Sequence, residues 1–324
     1  MKNEICLIIP CYYSLETLPR LLKSIDNQTY KNFDTYLAID GDNYLEEYEK
    51  FKDVNIMYFD ENQGAGMTRQ RCLDKIQSKY KYVMFADSDD MLNPRAVEIL
   101  HRAITSTNSD IAYSSIIRQF EDESSYVIDA TKPEHRIISW CVGKMYNIKF
   151  LKKNKIRFRK ELRLNEDIYF NFIAFNSTTK TVRVPEVTYL WMYNANSTTT
   201  KNRSLEYIMY EIQQSILAST YSLLDLAKNN KDKLDEELLA IKLVNIYTIS
   251  QEALYYNIPL SLFEKEYKLL SDEIDVVNFV NNNPDYFVDR LYQTANTYDF
   301  KNYLYKESFI QFINNAYNNK KGGI

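Results

Sequence analysis

The chain has 324 residues, 45% of them hydrophobic and 26% charged, with a formal net charge of −4. That length accommodates two domains, or one catalytic domain with a helical extension, and the composition excludes extended disorder. The slightly acidic balance argues against a broad nucleic-acid footprint, which needs a clustered basic face.

Lys149 to Lys160 carries seven Lys or Arg residues, read as a solvated helix and loop surface. Cys6, Cys11, Cys72 and Cys141 form no CxxC pair, and His101 and His135 are the only histidines. Neither a disulfide framework nor a Cys/His zinc site is therefore expected. The opening MKNEICLIIP is too short and too acidic for a signal peptide, and no apolar run approaches the length of a membrane span. A cytoplasmic location is expected, with peripheral membrane association left open.

In chain order, Glu4–Pro10 is an apolar run of strand length that Pro10 should stop. Leu18–Gln28 places Leu18, Leu21, Leu22 and Ile25 at helical spacing. Thr35–Asp40 and Val54–Phe59 read as the next strands, followed by a helix from about Ala65 to Ser78 and the strand Tyr82–Ala86. Pro94 sits at the tolerated first turn of a helix reaching about Ser106, and Asp110–Phe120 closes the set as a strand. This alternation predicts an α/β, doubly wound, mostly parallel sheet flanked by helices, joined by right-handed crossovers. Ligands bind such sheets beyond the carboxyl ends of the strands. Cys11-Tyr12, Asp40-Gly41-Asp42 and Asp87–Asp90 each follow a predicted strand and should converge on one crevice.

From about Asn202 the period changes to long helices. Leu205, Ile208, Ile212, Ile216 and Leu223 keep one helical face, and Leu238–Tyr256 is apolar around most of its circumference. The expected division is 1–202 for a catalytic α/β domain that holds the crevice and 203–324 for an all-helical C-terminal region serving acceptor binding or homo-oligomerisation. Tyr247, Tyr255, Tyr256, Tyr286, Tyr292, Tyr298, Tyr303 and Tyr305 suit helix packing, with sugar stacking as the alternative. The tail KKGGI is expected to fray.

Asp87-Ser88-Asp89-Asp90 is the sharpest chemical feature. Three carboxylates in four residues repel one another unless a counter-charge is present, and a divalent cation with oxygen ligands supplies one. Such an ion also neutralises charge on a departing diphosphate. The plainer alternative is a turn and cap ahead of the Pro94 helix. At Asp40 and Asp42 a carboxylate can accept hydrogen bonds from a base or ribose, although Asp-Gly is also an ordinary turn. Asn62-Gln63-Gly64-Ala65-Gly66 opens a helix carrying Arg69 and Arg71; its glycines allow close approach to an anion, and its arginines offer donors to phosphate. Glu166-Asp167 starts a further helix, where an acid suits the helix dipole or faces the crevice as a general base.

Together IIPCYY, AIDGD, ENQGAGMTRQR, ADSDDML and NEDIYF resemble the family 2 glycosyltransferases of the GT-A fold, in that family's order, over roughly residues 1–200. The resemblance implies transfer of a sugar from a UDP-sugar to a hydroxyl acceptor, with inversion and dependence on Mn²⁺ or Mg²⁺. It implies that Pro10 and Tyr12 line the base pocket, that Asp40 contacts the uracil, and that Arg69 stands for the arginine of the family's Ala-Arg-Asn stretch. It also implies Asp87 at the ribose or metal, Asp89 on the metal and Asp90 near the donor sugar. Asp167 takes the place of the catalytic base, Glu166 supports it, and Tyr189–Thr200 closes over the diphosphate. Trp140 and Lys144 fall on the acceptor side. The histidine that some members place after the last strand is absent, with Asn194 or Asn196 in its neighbourhood, so a third metal ligand is not assigned. A sugar-nucleotide nucleotidyltransferase and a non-catalytic nucleotide-sugar or glycan-binding module are the alternatives. Cys11-Tyr12-Tyr13 stands where the first would want a Gly-rich basic loop, and the second has no need of a base. The acceptor is not readable.

Overall fold

The computed structural model describes residues 3–132, 139–197, 204–229, 236–282, 287 and 306–317. The chain divides into two compact units, Met1–Lys201 and Asn202–Ile324.

In the first unit the strands are β1 (Ile5–Cys11), β2 (Phe33–Asp40), β3 (Asn55–Phe59), β4 (Tyr82–Phe85), β5 (Met91–Leu92), β6 (Ile111–Gln119), β7 (Ser125–Ile128), β8 (Lys144–Asn147) and β9 (Thr181–Trp191). Their order across the sheet is β3-β2-β1-β4-β8-β6-β9-β5, with β7 beside β6. Strands β3, β2, β1 and β4 are parallel; β1, β4 and most of β2 are apolar and buried on both faces, as a parallel sheet requires, while β3 at the edge is only partly buried. The helices are α1 (Leu18–Asp26), the short α2 (Leu45–Tyr48), α3 (Ala65–Ile76), α4 (Ala96–Ser106), the short α5 (Ile148–Lys153) and α6 (Glu166–Asn176).

Three departures from the sequence expectation have local causes. β1 does not stop at Pro10 but pairs with β2 through Pro10↔Ala38 and Cys11↔Ile39. The Ile8 carbonyl faces β4, accepting from Ala86 N at 3.3 Å, so Pro10 also faces that side. The β4 ladder has already ended there at Ile8↔Phe85, and no bond to the missing N–H is lost. Second, β8 enters antiparallel between β4 and β6, so β6 does not continue the parallel run. Gly143, at φ +64, turns the chain into β8 and breaks any periodic pattern over this stretch. Third, β9 runs parallel to β6, but the register jumps from Ser114↔Val184 to Ser115↔Val187, bypassing Pro185 and Glu186. A proline has no ladder donor, and a bulge absorbs it.

The second unit holds α7 (Leu205–Asn229), α8 (Glu236–Tyr255), a 3₁₀ turn at Leu260–Phe263, α9 (Glu264–Ser271), α10 (Val276–Asn282) and α11 (Lys306–Tyr317). Its core is aromatic. The buried Tyr247 ring lies 5.2 Å from Phe309 and 5.3 Å from Phe312, and Tyr267 lies 5.7 Å from both Phe312 and Tyr317. Packing therefore accounts for Tyr247, whereas Tyr255 and Tyr256 are exposed. Tyr286, Tyr292, Tyr298, Tyr303, Tyr305 and the tail KKGGI lie outside the described residues. Among the described residues no helix is long and apolar enough to cross a membrane.

Removing a large buried ring loses both transfer free energy and contacts around the resulting cavity. Tyr247→Ala should cost the helical unit about 3–5 kcal/mol. Chemical denaturation followed by circular dichroism will show this as a lowered midpoint at unchanged slope.

Candidate active site

The carboxyl ends of β1, β2 and β4 carry three short segments, and hydrogen bonds fix each one. After β1, Tyr12 and Tyr13 are about half exposed, and their rings meet edge to face at 4.5 Å. Tyr13 also meets Tyr44 at 5.7 Å. Behind them Asp42 is fully buried. Its Oδ2 accepts from Tyr13 N at 2.6 Å and from the Tyr48 hydroxyl at 2.8 Å, and its Oδ1 accepts from Tyr44 N at 2.8 Å. Asp42 thus braces the tyrosine turn, with both its carboxylate oxygens engaged inside the protein.

Asp40 is similarly committed. Oδ1 accepts from Gln63 N at 3.0 Å and Arg71 Nη2 at 2.6 Å, and Oδ2 accepts from Gly64 N at 2.9 Å. This holds the entry to α3, where Gly64 adopts φ +85, a region open to glycine but strained for other residues. The Arg71 guanidinium lies 4.3 Å from the Phe59 ring centroid. Gly66 matters for another reason: a Cβ there would overlap Glu166 Cγ and lie 3.0 Å from Glu166 Cβ. The first turn of α3 can approach α6 this closely only without a side chain.

Arg69 lies in the middle of this arrangement. Its guanidinium is buried, with Nη1 donating to Glu166 Oε1 at 3.1 Å and Nη2 donating to Asp87 Oδ1. Its Nε is buried without a partner. Arg69 stands on the helix that follows the Gly-rich turn, and both its terminal nitrogens are engaged with carboxylates, one from each side of the crevice.

Within the acidic loop after β4 the carboxylates have different tasks. Asp90 is buried; its Oδ2 accepts from the Tyr189 hydroxyl at 2.6 Å and its Oδ1 from Met192 N at 2.8 Å. The same Tyr189 oxygen accepts from Asp87 N at 3.0 Å. Asp90 therefore ties the loop to the end of β9. Burial, reinforced by Asp87 and Asp89, raises its pKa well above the usual carboxylate value. The Asp87 side chain is 41% exposed and, among the described residues, is bonded through Oδ1 alone. Among the same residues the Asp89 side chain is bonded through Oδ2 alone, from Asn194 Nδ2 at 2.8 Å, while its carbonyl accepts from Arg20 Nη2. Burial and the neighbouring Asp87 raise the Asp89 pKa. Among the described residues no three His, Cys, Asp or Glu side chains converge as metal ligands.

Across the crevice, α6 begins after Asn165, which adopts the left-handed conformation (φ 58°, ψ 20°). Glu166 points inward to Arg69, and burial raises its pKa. Asp167 is partly exposed, its Oδ1 accepting from Ile168 N at 2.8 Å. Burial, then repulsion from Glu166, pushes its pKa up to about 7. Asn171, one turn further on, donates to Asp167 O at 3.0 Å and Ser139 O at 3.1 Å, and its Oδ1 accepts from the Tyr146 hydroxyl at 2.6 Å. Lys144 is buried, its ammonium donating to the Trp140 carbonyl, and burial lowers its pKa to about 7. Trp140 meets Trp191 at 5.6 Å. Pro10 sits half-buried near the end of β1. The expected lid segment Tyr189–Thr200 is described only as far as Ser197. Arg20, Tyr48 and Asn171 carry no motif, whereas Gly66 lies in the Gly-rich run and Tyr189 opens the segment expected to close over the diphosphate.

Arg69→Met would leave Glu166 and Asp87 without their cation, and breaking such a buried pair costs about 3–5 kcal/mol. The sign of the pH effect follows from linkage. With the cation gone, both carboxylates bind protons more tightly folded than unfolded, so stability falls as pH rises. The deficit relative to the unsubstituted protein should therefore be larger at pH 8 than at pH 5 in urea denaturation.

The profile of the family described as Glycosyl transferase family 2 matches residues 6–176, more than half of the chain and the whole stretch holding these segments. Among curated proteins, the chain is 30% identical over 185 residues to the poly(ribitol-phosphate) beta-N-acetylglucosaminyltransferase TarP of Staphylococcus aureus, covering 52% of this chain and 56% of that protein. It is 31% identical over 124 residues to the cholesterol galactosyltransferase of Borreliella burgdorferi, covering 37% of this chain and 34% of that protein. The match thus spans about half or less of these relatives. Among solved structures, S. aureus TarS 1–349 in complex with UDP-GlcNAc is 18% identical with a TM-score of 0.65, covering 83% of this chain and 80% of that one, and shows the same fold. On the extent of the profile match, with the acidic loop, the Arg69 bridge and the Glu166-Asp167 helix all inside it, the chain belongs to glycosyl transferase family 2.

Proposed function

We propose that the protein transfers a sugar from a UDP-sugar to a hydroxyl acceptor in a single inverting displacement at the anomeric carbon. The observation that carries this reading is Asp167. It is a partly exposed carboxylate pushed up to about 7, across the crevice from a loop of acidic groups. A general base works best with a pKa near the operating pH. Asp167 accepts the proton of the attacking hydroxyl. Glu166, held on Arg69, keeps negative charge beside it and so keeps it basic. The exposed tyrosines Tyr12 and Tyr13 offer ring faces to the uracil, and Asp40 keeps the Gly64 turn in shape beneath the nucleotide.

Asp87 and Asp89 fit a divalent cation, Mn²⁺ or Mg²⁺, in one specific respect. Each keeps an oxygen unused toward other residues, and Asp89 carries a raised pKa that mutual repulsion helps to maintain. Two protein carboxylates, with substrate phosphates completing the shell, is the usual arrangement for Mg²⁺. Such a cation supplies charge neutralisation to the departing diphosphate. The Asn194 amide orients Asp89 from the end of β9. The helical unit is proposed to serve acceptor contacts or self-association. The relatives make UDP-N-acetylglucosamine the first donor to try and a poly(ribitol-phosphate) polymer the first acceptor.

Two measurements test this reading. Release of UDP should rise with pH through about 7 and then level, because only the ionised Asp167 accepts a proton. Asp167→Asn should lower transfer by about 10²–10⁴-fold while leaving donor affinity in place. Near-normal transfer by Asp167→Asn puts the base elsewhere. Separately, UDP with Mn²⁺ should raise the melting temperature, and Asp89→Ala should remove most of that gain. An equal gain in the variant leaves the acidic loop as a turn and nothing more.

A further inference from the structure

At the opposite edge of the sheet, where β1 and β4 begin, lies a concavity of about 800 Å³. It is lined by Lys79 and Lys81 ahead of β4, by Lys149, Lys152 and Lys153 on α5, and by Asn3, Glu4, Gln77 and Ser78. Seven strand residues separate Glu4 from Tyr12, so this concavity is about 20 Å from the crevice. Its floor is fixed by backbone: Lys81 N and Tyr82 N donate to Glu4 O at 2.8 and 3.0 Å, and Ile148 N donates to Lys81 O at 2.9 Å.

The charges here are not neutralised from within. Among the described residues none of the five lysines forms an ion pair, although Arg157 nearby is cancelled by Asp74 at 2.7 Å. Lys81 lies 5.2 Å from the Tyr82 ring centroid, which leaves its charge in place. Among the described residues Glu4 is the one acid in the lining, against five lysines. Asp34, outside the lining, accepts from two lining residues, Asn3 through Nδ2 at 2.7 Å and Tyr80 through its hydroxyl. Five ammonium groups around one hollow, in a chain of net charge −4, are a local field of opposite sign to the whole. Lysine ammonium groups are mobile point charges that meet phosphate oxygens from many directions, and the volume is that of a small-molecule site. Amides and a hydroxyl on the rim add donors for phosphate oxygens.

We propose that this concavity is a second anion site, taking a ligand with more than one phosphate group, separate from the donor's diphosphate. The proposal does not depend on the sugar-transfer reading. Its chemistry has two sources, a soluble polyphosphate compound or clustered lipid headgroups.

The test is calorimetric titration of the full chain with inorganic tripolyphosphate, with EDTA present so that no divalent ion draws phosphate into the crevice. Binding is expected at about 50 mM salt and should weaken markedly at about 200 mM. Changing Lys149, Lys152 and Lys153 together to Gln should lower affinity by about tenfold or more, with the melting temperature unchanged because all three are exposed. Asp89→Ala should bind as the unsubstituted chain does. The proposal is overturned if the unsubstituted chain does not bind, if the triple variant binds equally well, or if Asp89→Ala abolishes binding. Flotation with vesicles half phosphatidylglycerol then assigns the source. Lysine-dependent flotation names lipid headgroups, and tripolyphosphate binding without flotation names a soluble ligand.

Discussion

One buried guanidinium holds the crevice together. Arg69 comes from the helix after the Gly-rich turn, and its two forks reach Asp87 on the strand side and Glu166 on the helix side. Without that cation three negative groups, Asp87, Glu166 and Asp167, would share a poorly solvated space, and each would be driven toward its neutral form. Arg69 therefore governs both the shape of the crevice and how much charge it carries. The close approach that lets it do so depends in turn on Gly66, whose missing side chain makes room for Glu166.

The carboxylates divide into two kinds. Asp40, Asp42 and Asp90 are buried and spend their oxygens on backbone N–H groups, tyrosine hydroxyls and Arg71, so they shape the loops. Asp87, Asp89 and Asp167 keep some exposure or an uncommitted oxygen, which is what a group that meets a substrate needs. This explains how so acidic a crevice stays folded: half of its negative charge is consumed as internal scaffolding before any ligand arrives.

Much of the first unit was legible in the chain because β1, β4 and most of β2 are buried apolar runs and α1 and α4 show clear apolar faces. Those signals are local. What escaped were β7, a short and mostly exposed hairpin partner of β6, and β5, β8 and β9, which are short, flanked by Gly143 or interrupted by Pro185, and stabilised by partners far away in sequence. At the site, the residue types and their order singled out the segments that Arg69 draws together, joining Asp87 to Glu166. The direction each side chain faces was not legible. Asp42 and Asp90 read like ligand-binding acids because composition cannot distinguish an aspartate that accepts from a tyrosine hydroxyl from one that awaits a substrate. Asn171, which no motif includes, acquires meaning only from what folds against it.

Asn171 shows how narrow chemical tolerance can be away from any reacting atom. Its amide nitrogen serves two carbonyls, Ser139 O and Asp167 O, while its oxygen takes the Tyr146 hydroxyl. Hydrolytic loss of that one nitrogen, the deamidation by which asparagines age, would set a carboxylate oxygen against both carbonyls at almost unchanged volume. The turn before β8 and the start of α6 would then be pushed apart by a lesion that adds about one dalton. Chemical ageing at that one amide would be felt at the start of α6 without altering either of the carboxylates there.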